Sequence, residues 1–251
     1  MESQQPLITV DGLGATLGDR TVLAEVSFQV YPGQITIILG GSGCGKTTVL
    51  KHLMGLYPIQ QGAVSVLGRE LGDLEENDQH ELFLEMGVLY QHGALLNSMT
   101  VADNVALPLR QHTRLPDVLI DRLVATKLSL VQLVGAGQRY PSELSGGMRK
   151  RAALARAIAL DPPLLFCDEP GAGLDPVSLA ALDKLILDLK RQLGITVVLV
   201  THEVASIRRL ADRIVFLEGG HVLFEGSLNE AQQAGIAAVD DFFSAPESPD
   251  G

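Results

Sequence analysis

The stretch Ile35–Thr47, ITIILGGSGCGKT, decides the fold of this chain. Its apolar run Ile35–Leu39 predicts a strand buried on both faces, and a helix is predicted to begin at Gly45. Between them, Gly40–Thr47 fits the pattern G-x-x-x-x-G-K-[ST]. Glycines in this pattern let backbone N–H groups close around phosphate oxygens, and the helix N-terminus adds positive potential. The stretch therefore predicts a phosphate site between a strand and a helix.

Two side chains of this loop have predicted roles of their own. Lys46 is predicted to reach the β- and γ-phosphates of a nucleotide, and the Thr47 hydroxyl to ligate Mg²⁺. An ordinary glycine-rich turn is the alternative, and the flanking strand and helix argue against it. The candidate phosphate-binding residues are Gly40, Gly41, Ser42, Gly43, Cys44, Gly45, Lys46, Thr47 and Thr48.

A second site is predicted where the apolar segment Leu164–Cys167 ends in Asp168 and Glu169. Asp168 would hold Mg²⁺, directly or through water, and Glu169 would polarise the water that attacks a γ-phosphate. An apolar strand that ends in acids is commonly just a strand entering solvent. The glycine-rich loop elsewhere in the chain favours the functional interpretation.

A third candidate lies in Pro141–Met148, PSELSGGM, ahead of the basic and alanine-rich run Arg149–Ala157. Ser145 is predicted to cap a helix, and Gly146 and Gly147 allow a ligand to approach its start, so this is a second candidate anion site. A bland capped helix would explain the serine but not the full string.

Strand and helix signals alternate along the rest of the chain, which predicts an α/β fold with a largely parallel sheet. Residues 91–160 form a predicted helical insertion, in which Leu119, Leu123, Leu130 and Leu133 recur at three-, four- and seven-residue spacings. Residues 177–193 predict a further amphipathic helix. Short β segments are predicted in the first 40 residues, with an alternating run at 26–30, and further strands at 63–67, 87–90, 164–167, 196–200, 213–217 and, after a tight turn, 222–224.

Composition fits one folded domain over residues 1–244. Of the 251 residues, 46% are hydrophobic and 20% charged, as in globular rather than disordered chains. The net charge of -11 disfavours non-specific binding of nucleic acid. Cys44 and Cys167 lack metal-ligand or disulfide spacing, which favours a reducing cytoplasm. We expect neither a membrane span nor a secretory signal, and residues 245–251 are predicted to be a flexible tail.

Together with Gln91, Gly173–Pro176 and Thr201–His202, these motifs resemble the nucleotide-binding domain of ATP-binding cassette (ABC) transporters, in order from about Leu7 to Glu225. The resemblance implies a P-loop NTPase core of the ABC type with an N-terminal antiparallel β subdomain and an inserted helical subdomain. It also implies ATP and Mg²⁺ as ligands, ATP hydrolysis, and a head-to-tail homodimer in which each P-loop faces the other chain's signature helix.

The same resemblance assigns roles to single residues. Gln91 is implied to be the Q-loop glutamine, which serves as a catalytic group and a Mg²⁺ ligand. Leu144–Met148 is implied to be the signature, with Ser145 at the nucleotide. Asp175 is implied to be the D-loop aspartate, also at the nucleotide, and His202 the switch histidine that contacts the γ-phosphate. As isolated residues, Gln91 and His202 would more often be ordinary surface or core-edge side chains.

A narrower resemblance is to the ATPases of MCE-type lipid transporters, the Mla subfamily. It is carried by Leu144–Met148 with Arg151–Arg156, by Asn104–Arg110 and by Asp168–Pro176. This narrower resemblance implies phospholipid movement between the inner and outer membranes of a diderm bacterium, driven by a peripheral ATPase on the cytoplasmic face of the inner membrane. The implied partners are an integral membrane permease of the MlaE type, a periplasmic MCE-domain protein and often a small STAS-domain protein.

Two features depart from the wider family. Residues before the second β segment include no aromatic side chain to stack on adenine, which leaves Leu17, Arg20 or Val22 to contact the base. Met148 replaces the common glutamine at the end of the signature, which leaves Ser145 and backbone N–H groups for polar contacts.

Residues 91–105 are implied to line the groove that receives a coupling helix of the permease. Leu95, Leu96 and Met99 suit such a docking site, or they fill the core of the insertion. Cys44, beside Lys46 and a helix start, is either a reactive thiol whose alkylation bound ATP would block or a small loop residue of which only the backbone matters. Cys167 is predicted to be inert.

Three other functions are open alternatives: the ATPase of a solute importer, for example for amino acids; a soluble ABC protein of DNA repair, translation or cofactor assembly; and a nucleotide-gated interaction module without turnover. The acidic charge, the single cassette and the lack of a coiled-coil insertion or basic arm disfavour DNA and ribosome roles. The set Lys46, Asp168, Glu169 and His202 disfavours the module.

Overall fold

The computed structural model describes residues 5–244, and these divide into two compact units. The first unit contains the described residues up to Phe83 and those from Thr196 onward, and the second contains Leu84–Ile195. The predicted insertion, 91–160, falls within the second unit. The predicted tail, 245–251, lies outside the described residues, and one domain over 1–244 stays a prediction.

Strands and helices are numbered here in chain order. The strands are β1 (Ile8–Leu17), β2 (Arg20–Val30), β3 (Ile35–Gly40), β4 (Gln61–Val66), β5 (Arg69–Glu70), β6 (Met86–Leu89), β7 (Leu164–Asp168), β8 (Thr196–Val200), β9 (Arg213–Glu218) and β10 (His221–Gly226). The α-helices are α1 (Lys46–Leu53), α2 (Glu76–Leu84), α3 (Val101–His112), α4 (Asp117–Leu130), α5 (Gly146–Ala157), α6 (Pro176–Leu193), α7 (Val204–Leu210), α8 (Leu228–Gln233) and α9 (Ala237–Ser244).

An antiparallel sheet in the order β2-β1-β4-β5 confirms the predicted N-terminal β subdomain. Its second strand buries Val26, Phe28 and Val30 on one face, as the alternating run predicts. The expectation of short, separated segments in the first 40 residues is wrong, because β1 and β2 are 10 and 11 residues long. Bulges let these strands continue past Gly12 and Glu25, whose φ angles are 59° and 54°.

A second group of strands in the first unit is largely parallel, as predicted. β3 lies between β8 and β9 and pairs in parallel with both, while β10 pairs with β9 in an antiparallel hairpin. Every residue of β3 is buried, which fits a strand covered on both faces. Because β3 and β8 run in parallel, the loops that follow them leave from the same edge of the sheet.

The second unit contains a parallel strand pair and the predicted helices. β6 runs parallel to β7, with Leu89 opposite Cys167, and α3, α4 and α5 make up the helical insertion. The buried residues of α4 include Ile120, Val124 and Leu128, whereas Leu119 is exposed. The leucine spacing thus predicts the helix correctly but places its buried face one residue away from where it lies.

The predicted helix at 177–193 is α6, which begins one residue earlier, at Pro176. Its buried face contains Leu182, Leu185, Ile186 and Leu189, in agreement with the predicted amphipathic pattern. None of the helices within residues 5–244 combines the length and the hydropathy needed to cross a membrane.

Candidate functional site

The glycine-rich loop of the first unit joins β3 to α1 in a shape that exposes the helix start. Gly45 precedes α1 with a φ of 106° and provides no side-chain cap, so the first N–H groups of the helix are available to a ligand. At Gly40, φ is 144°, and an added Cβ would overlap the carbonyl oxygen of Leu217 in β9. This backbone path therefore requires glycine at Gly40 and at Gly45, the two positions where the pattern fixes it.

Lys46 folds back over the same loop. Its Nζ donates hydrogen bonds to the carbonyl oxygens of Gly40, at 3.0 Å, and Gly41, at 2.9 Å. The ammonium is thereby held at the loop backbone, and the side chain of the next residue, Thr47, is exposed. A phosphate bound by the loop would meet a positive charge in place, with little reorganisation of the lysine.

A cavity of about 160 Å³ adjoins the loop, lined by Val22, Gly43, Gly45, Lys46, Thr47 and Thr48. Among the three residues predicted to contact adenine, Val22 lines this cavity. Leu17 and Arg20 are exposed near the turn between β1 and β2. The contact of the base with any of the three stays a prediction.

His202 lies in the same unit as the P-loop, just beyond the end of β8. The pairing of Ile38 with Val200 sets β3 and β8 in parallel register, so His202 and Gly40–Thr47 leave the sheet at one edge. The imidazole is 62% exposed, and its Nε2 lies 3.7 Å from Oε1 of Glu203. The structure thus brings the predicted switch histidine to the loop edge without burying it.

Gln91, Asp168 and Glu169 lie at the ends of two neighbouring strands of the second unit. Gln91 follows β6, Asp168 ends β7 and Glu169 comes next, and because Leu89 pairs in parallel with Cys167, these residues lie at one edge of the strand pair. The Gln91 side chain is exposed and the acids are half-buried. Glu169 has a φ of 44°, a left-handed conformation that costs a non-glycine residue free energy and is frequent at functional sites.

Helix α5 begins as the sequence predicts. The Ser145 Oγ accepts a hydrogen bond from the Met148 N–H at 3.3 Å, which caps the helix. Gly146 and Gly147 occupy its first turn. A Cβ on Gly147 would lie 3.6 Å from the Ser178 side chain in α6, in ordinary van der Waals contact, so the small residues keep this helix start accessible rather than avoid a clash.

Asp175 caps α6 rather than standing as an isolated surface acid. One of its oxygens, Oδ1, accepts hydrogen bonds from the N–H groups of Val177 and Ser178, both at 3.0 Å. The hydrogen bond with the Ser178 side chain, followed by the backbone bonds, holds the pKa of Asp175 below its usual range. Its D-loop role at the nucleotide stays a prediction beside this structural one.

The two cysteines are both buried. The Cys44 Sγ lies 3.9 Å from the Lys46 Nζ and close to the position that a Cβ on Gly40 would occupy, so it faces into the protein behind the loop. This burial argues against a readily alkylated thiol. Complete burial raises the pKa of Cys167 to about 12, which favours the unreactive thiol form over the thiolate.

The segment 91–100 is irregular. Leu96 is exposed and Leu95 and Met99 are half-buried, so Leu96 does not fill the core of the insertion. The buried Asn104 fixes the Leu96 backbone: its Oδ1 accepts from the Leu96 N–H at 2.8 Å, and its Nδ2 donates to the Leu96 carbonyl at 3.0 Å. Docking of a permease helix here stays a prediction.

Sequence reasoning missed two basic residues of α5. The buried Lys150 donates a hydrogen bond from Nζ to the Gln91 carbonyl, and Arg156 donates to the carbonyls of Gly93 and Ala94 at 2.9 and 2.7 Å. Burial lowers the pKa of Lys150, and the nearby charge of Glu169 opposes that shift. The sequence feature that could have indicated them is a pair of cations in a helix whose alanines are buried.

A family model described as "ABC transporter" matches residues 23–172. The intermembrane phospholipid transport system ATP-binding protein MlaF of Haemophilus influenzae is 42% identical over 92% of this chain and 87% of that protein. The protein of the same name from Escherichia coli K12 is 40% identical over 92% of this chain and 86% of that protein. The probable ribonucleotide transport ATP-binding protein mkl of Mycobacterium bovis is 40% identical over 87% of this chain, which spans 61% of that protein.

Solved structures show the same fold. The ATP-binding cassette MJ0796, in a dimeric post-hydrolysis state bound to ADP and Pi, superposes with a TM-score of 0.79 and 28% identity, covering 88% of this chain and 98% of that one. The cbiO1 protein of Clostridium perfringens, part of the ABC transporter complex cbiONQ, has a TM-score of 0.84 and 25% identity over 92% of this chain and 91% of that one.

Proposed function

This chain belongs to the ABC transporter family, and we propose that it is the ATP-hydrolysing subunit of a system that moves phospholipids between the inner and outer membranes of a diderm bacterium. The phospholipid assignment is supported by the two MlaF relatives, which align with 92% of the chain. The observation that carries the enzymatic assignment is the uncapped start of α1, with Lys46 held over the glycine-rich loop.

In this proposal the first unit binds the ATP phosphates. The backbone N–H groups of Gly41–Thr48 donate hydrogen bonds to phosphate oxygens. The Lys46 ammonium, which already donates to two loop carbonyls, donates its further hydrogen bond to the β- and γ-phosphates. His202 donates a hydrogen bond to the γ-phosphate from the same edge of the sheet. Val22, with Leu17 and Arg20, is available for the adenine, so base recognition rests on apolar contact rather than aromatic stacking.

Mg²⁺ is the metal that this donor set fits. Thr47, Gln91 and Asp168 supply a hydroxyl, an amide and a carboxylate oxygen, and Mg²⁺ prefers such oxygen ligands together with substrate phosphates. The exposed Thr47 and Gln91 side chains are accessible to an ion that arrives with ATP. When bound, the ion would neutralise charge on the β- and γ-phosphate oxygens.

Glu169 is the proposed base for hydrolysis. Its carboxylate accepts a proton as the water oxygen bonds to the γ-phosphorus and the bond to the β-phosphate oxygen breaks, releasing ADP and phosphate. Gln91, at the same edge of the second unit, orients the water.

We further propose that two copies of this chain bind ATP head to tail. The Ser145 hydroxyl and the N–H groups of Gly146 and Gly147 form the start of a second helix, suited to an anion, and Asp175 caps the helix that follows. A phosphate bound in the P-loop of one copy would be enclosed by this helix start from the other. A monomer is therefore expected to hydrolyse ATP poorly.

The proposed membrane partners are an integral permease of the MlaE type, an MCE-domain protein and a small STAS-domain protein. The chain would then act at the cytoplasmic face of the inner membrane as a peripheral subunit. Residues 91–105, with the exposed Leu96, are the proposed contact with the permease. No binding of nucleic acid is proposed, since the net charge is -11.

A second candidate substrate class is a ribonucleotide, which the name of the mkl relative indicates at 40% identity. The longer alignment with the MlaF relatives, 87% against 61% of the relative's length, favours phospholipid. The amino-acid importer alternative has no relative among those described above.

The proposal is tested with the full chain copurified with the products of its neighbouring genes. ATP hydrolysis and movement of a fluorescent phospholipid from donor vesicles are both expected in the wild type and absent in Lys46→Ala, which removes the cation over the loop. ATP-dependent uptake of radiolabelled ribonucleotide without lipid movement would support the second candidate. Hydrolysis that persists in Lys46→Ala would contradict the assigned phosphate site.

A further inference from the structure

Lys150 is a buried cation to which the proposed mechanism gives no role. It lies in the second turn of α5 and is only 7% exposed. Burying an ammonium is costly unless it is hydrogen-bonded or paired, and Lys150 donates to the main-chain carbonyl of Gln91. The negative charge of Glu169 acts on the same ammonium. This lysine therefore interacts with both residues proposed to handle the attacking water.

A second cation of α5 holds the next part of the same segment. The Arg156 guanidinium donates through NH2 to the Gly93 carbonyl and through NH1 to the Ala94 carbonyl. Gly93 lies against α5 so closely that an added Cβ would be 3.1 Å from the Cβ of Ala153. Positions 150, 153 and 156 follow one another at the three-residue spacing of helix neighbours. One face of α5 therefore contacts Gln91, Gly93 and Ala94 through two hydrogen-bonding cations and the alanine between them.

We propose that Lys150 and Arg156, here called the α5 clamp, are positioning residues for ATP hydrolysis. They fix the backbone of Gln91–Ala94 on α5, and Lys150 orders Gln91 beside Glu169. Because the Gln91 backbone is fixed, its side chain has fewer positions to adopt when it orients the water. Ser145, Gly146 and Gly147 form the start of the same helix. The clamp therefore couples the position of Gln91 to the position of this helix start. This inference rests on the proposed ATPase function.

The test measures steady-state ATP hydrolysis by the full chain in its transporter complex. Lys150→Met keeps the length of the side chain but removes the donor and the charge. We expect kcat to fall on the order of tenfold or more, because misplacing a reacting group by a fraction of an ångström is that costly. KM for ATP should change less than about twofold, since the P-loop is untouched. Lys150→Arg, which can still donate, should restore most of kcat.

Lys127 provides the matched control. It is the other buried lysine of the second unit, 3% exposed, and it is paired with Asp161 rather than with the Gln91 segment. Lys127→Met should lower thermal stability as Lys150→Met does, but leave kcat within about twofold of wild type. A kcat loss of equal size in Lys127→Met would overturn the clamp, because it would trace the effect to general destabilisation.

Arg156→Met tests the other half of the clamp, and decides the question if Lys150→Met does not fold. It should lower kcat in the same direction and raise hydrogen exchange of the 93–96 amides, which Lys127→Met should not do. Wild-type kcat in the folded clamp variants would overturn this inference alone. Absence of ATP hydrolysis in the wild type would instead overturn the proposed function, and the clamp with it.

Discussion

At the scale of single residues, the P-loop depends on backbone geometry as much as on its charged side chain. Gly40 combines a φ of 144° with contact against β9, whereas Gly41 beside it is exposed with open space at its Cβ position. The two neighbouring glycines therefore differ in physical meaning. Gly40 is required by the fold of the first unit, whereas no contact within the protein requires glycine at Gly41, which leaves the proposed close approach of a phosphate as its role.

This difference predicts that substitution of Gly40 lowers stability, whereas the same substitution of Gly41 leaves stability nearly unchanged. Gly40→Ala should lower the free energy of unfolding by at least about 1–3 kcal/mol, since a side chain there is strained and overlaps the Leu217 carbonyl. Gly41→Ala should stay within about 0.5 kcal/mol of wild type. Urea denaturation without nucleotide measures both. Equal stability of the two variants would show that β9 yields to the extra methyl group.

At the scale of elements, two helix starts in the second unit carry the predicted nucleotide contacts, and each is also capped by its own side chain. Ser145 caps α5 and Asp175 caps α6. A capping group that also meets a ligand has two roles, and only the stability role can be read without nucleotide. For Asp175 the stability role can be measured through its pKa, because the hydrogen bonds of the cap favour the charged form of the carboxylate.

Asp175 should therefore make stability depend on pH. Its pKa is lowered in the folded state, so its charge contributes stability above the ordinary aspartate range, and that contribution is lost as pH falls below about 4. Compared with Asp175→Asn, which can still cap, the wild type should be more stable at pH 7, with the difference shrinking toward pH 3. Thermal unfolding over this range measures it. Asp175→Ala should be less stable than Asp175→Asn at every pH, because it has no cap.

The irregular segment before α3 is the element proposed to meet the permease. Leu96 is 44% exposed while Asn104 holds its backbone, so Leu96→Asp should leave the fold and nucleotide binding intact but release the chain from its permease in a pull-down. Leu223 in β10, 40% exposed, provides the matched control: Leu223→Asp should retain the permease. A complex retained by Leu96→Asp would remove this segment as the dock.

At the scale of the whole molecule, function is proposed to require a second copy. The P-loop and the signature start are each formed locally, and each offers N–H groups at a helix start to an anion. A homodimer that encloses two nucleotides would use both surfaces. Loss of the hydrolysis products is then expected to end the dimer, because no intact triphosphate is left to join the two surfaces.

Blocking hydrolysis should therefore trap the dimer. Glu169→Gln removes the proposed base while keeping the size of the side chain, so with ATP it should elute at twice the monomer mass on size exclusion and turn over at least about a hundredfold more slowly. Lys46→Ala in the same background should return it to monomer, since ATP no longer binds. Near-normal turnover of Glu169→Gln would exclude this residue as the base.

The sequence by itself determined the local elements of this protein. A buried strand before glycines and Lys46, an apolar strand before Asp168, and a serine before paired glycines each specify a strand end or a helix start through propensity and periodicity. The α/β class and the parallel strands follow from these patterns, and the resemblance to the ABC family rests on the motif strings themselves. The glycine-rich loop between β3 and α1 and the capping of α5 were also predictable, because each depends on neighbours a few residues away.

Only the tertiary structure decided which residues support the site from a distance in sequence. Lys150 and Gln91 are 59 positions apart, and Gly40 meets Leu217 only because β3 pairs with β9. The burial of Cys44 and the buried face of α4 likewise follow from packing. Periodicity gives the spacing of apolar residues but not the side from which a neighbour approaches, and that side is set by long-range contacts no local pattern encodes.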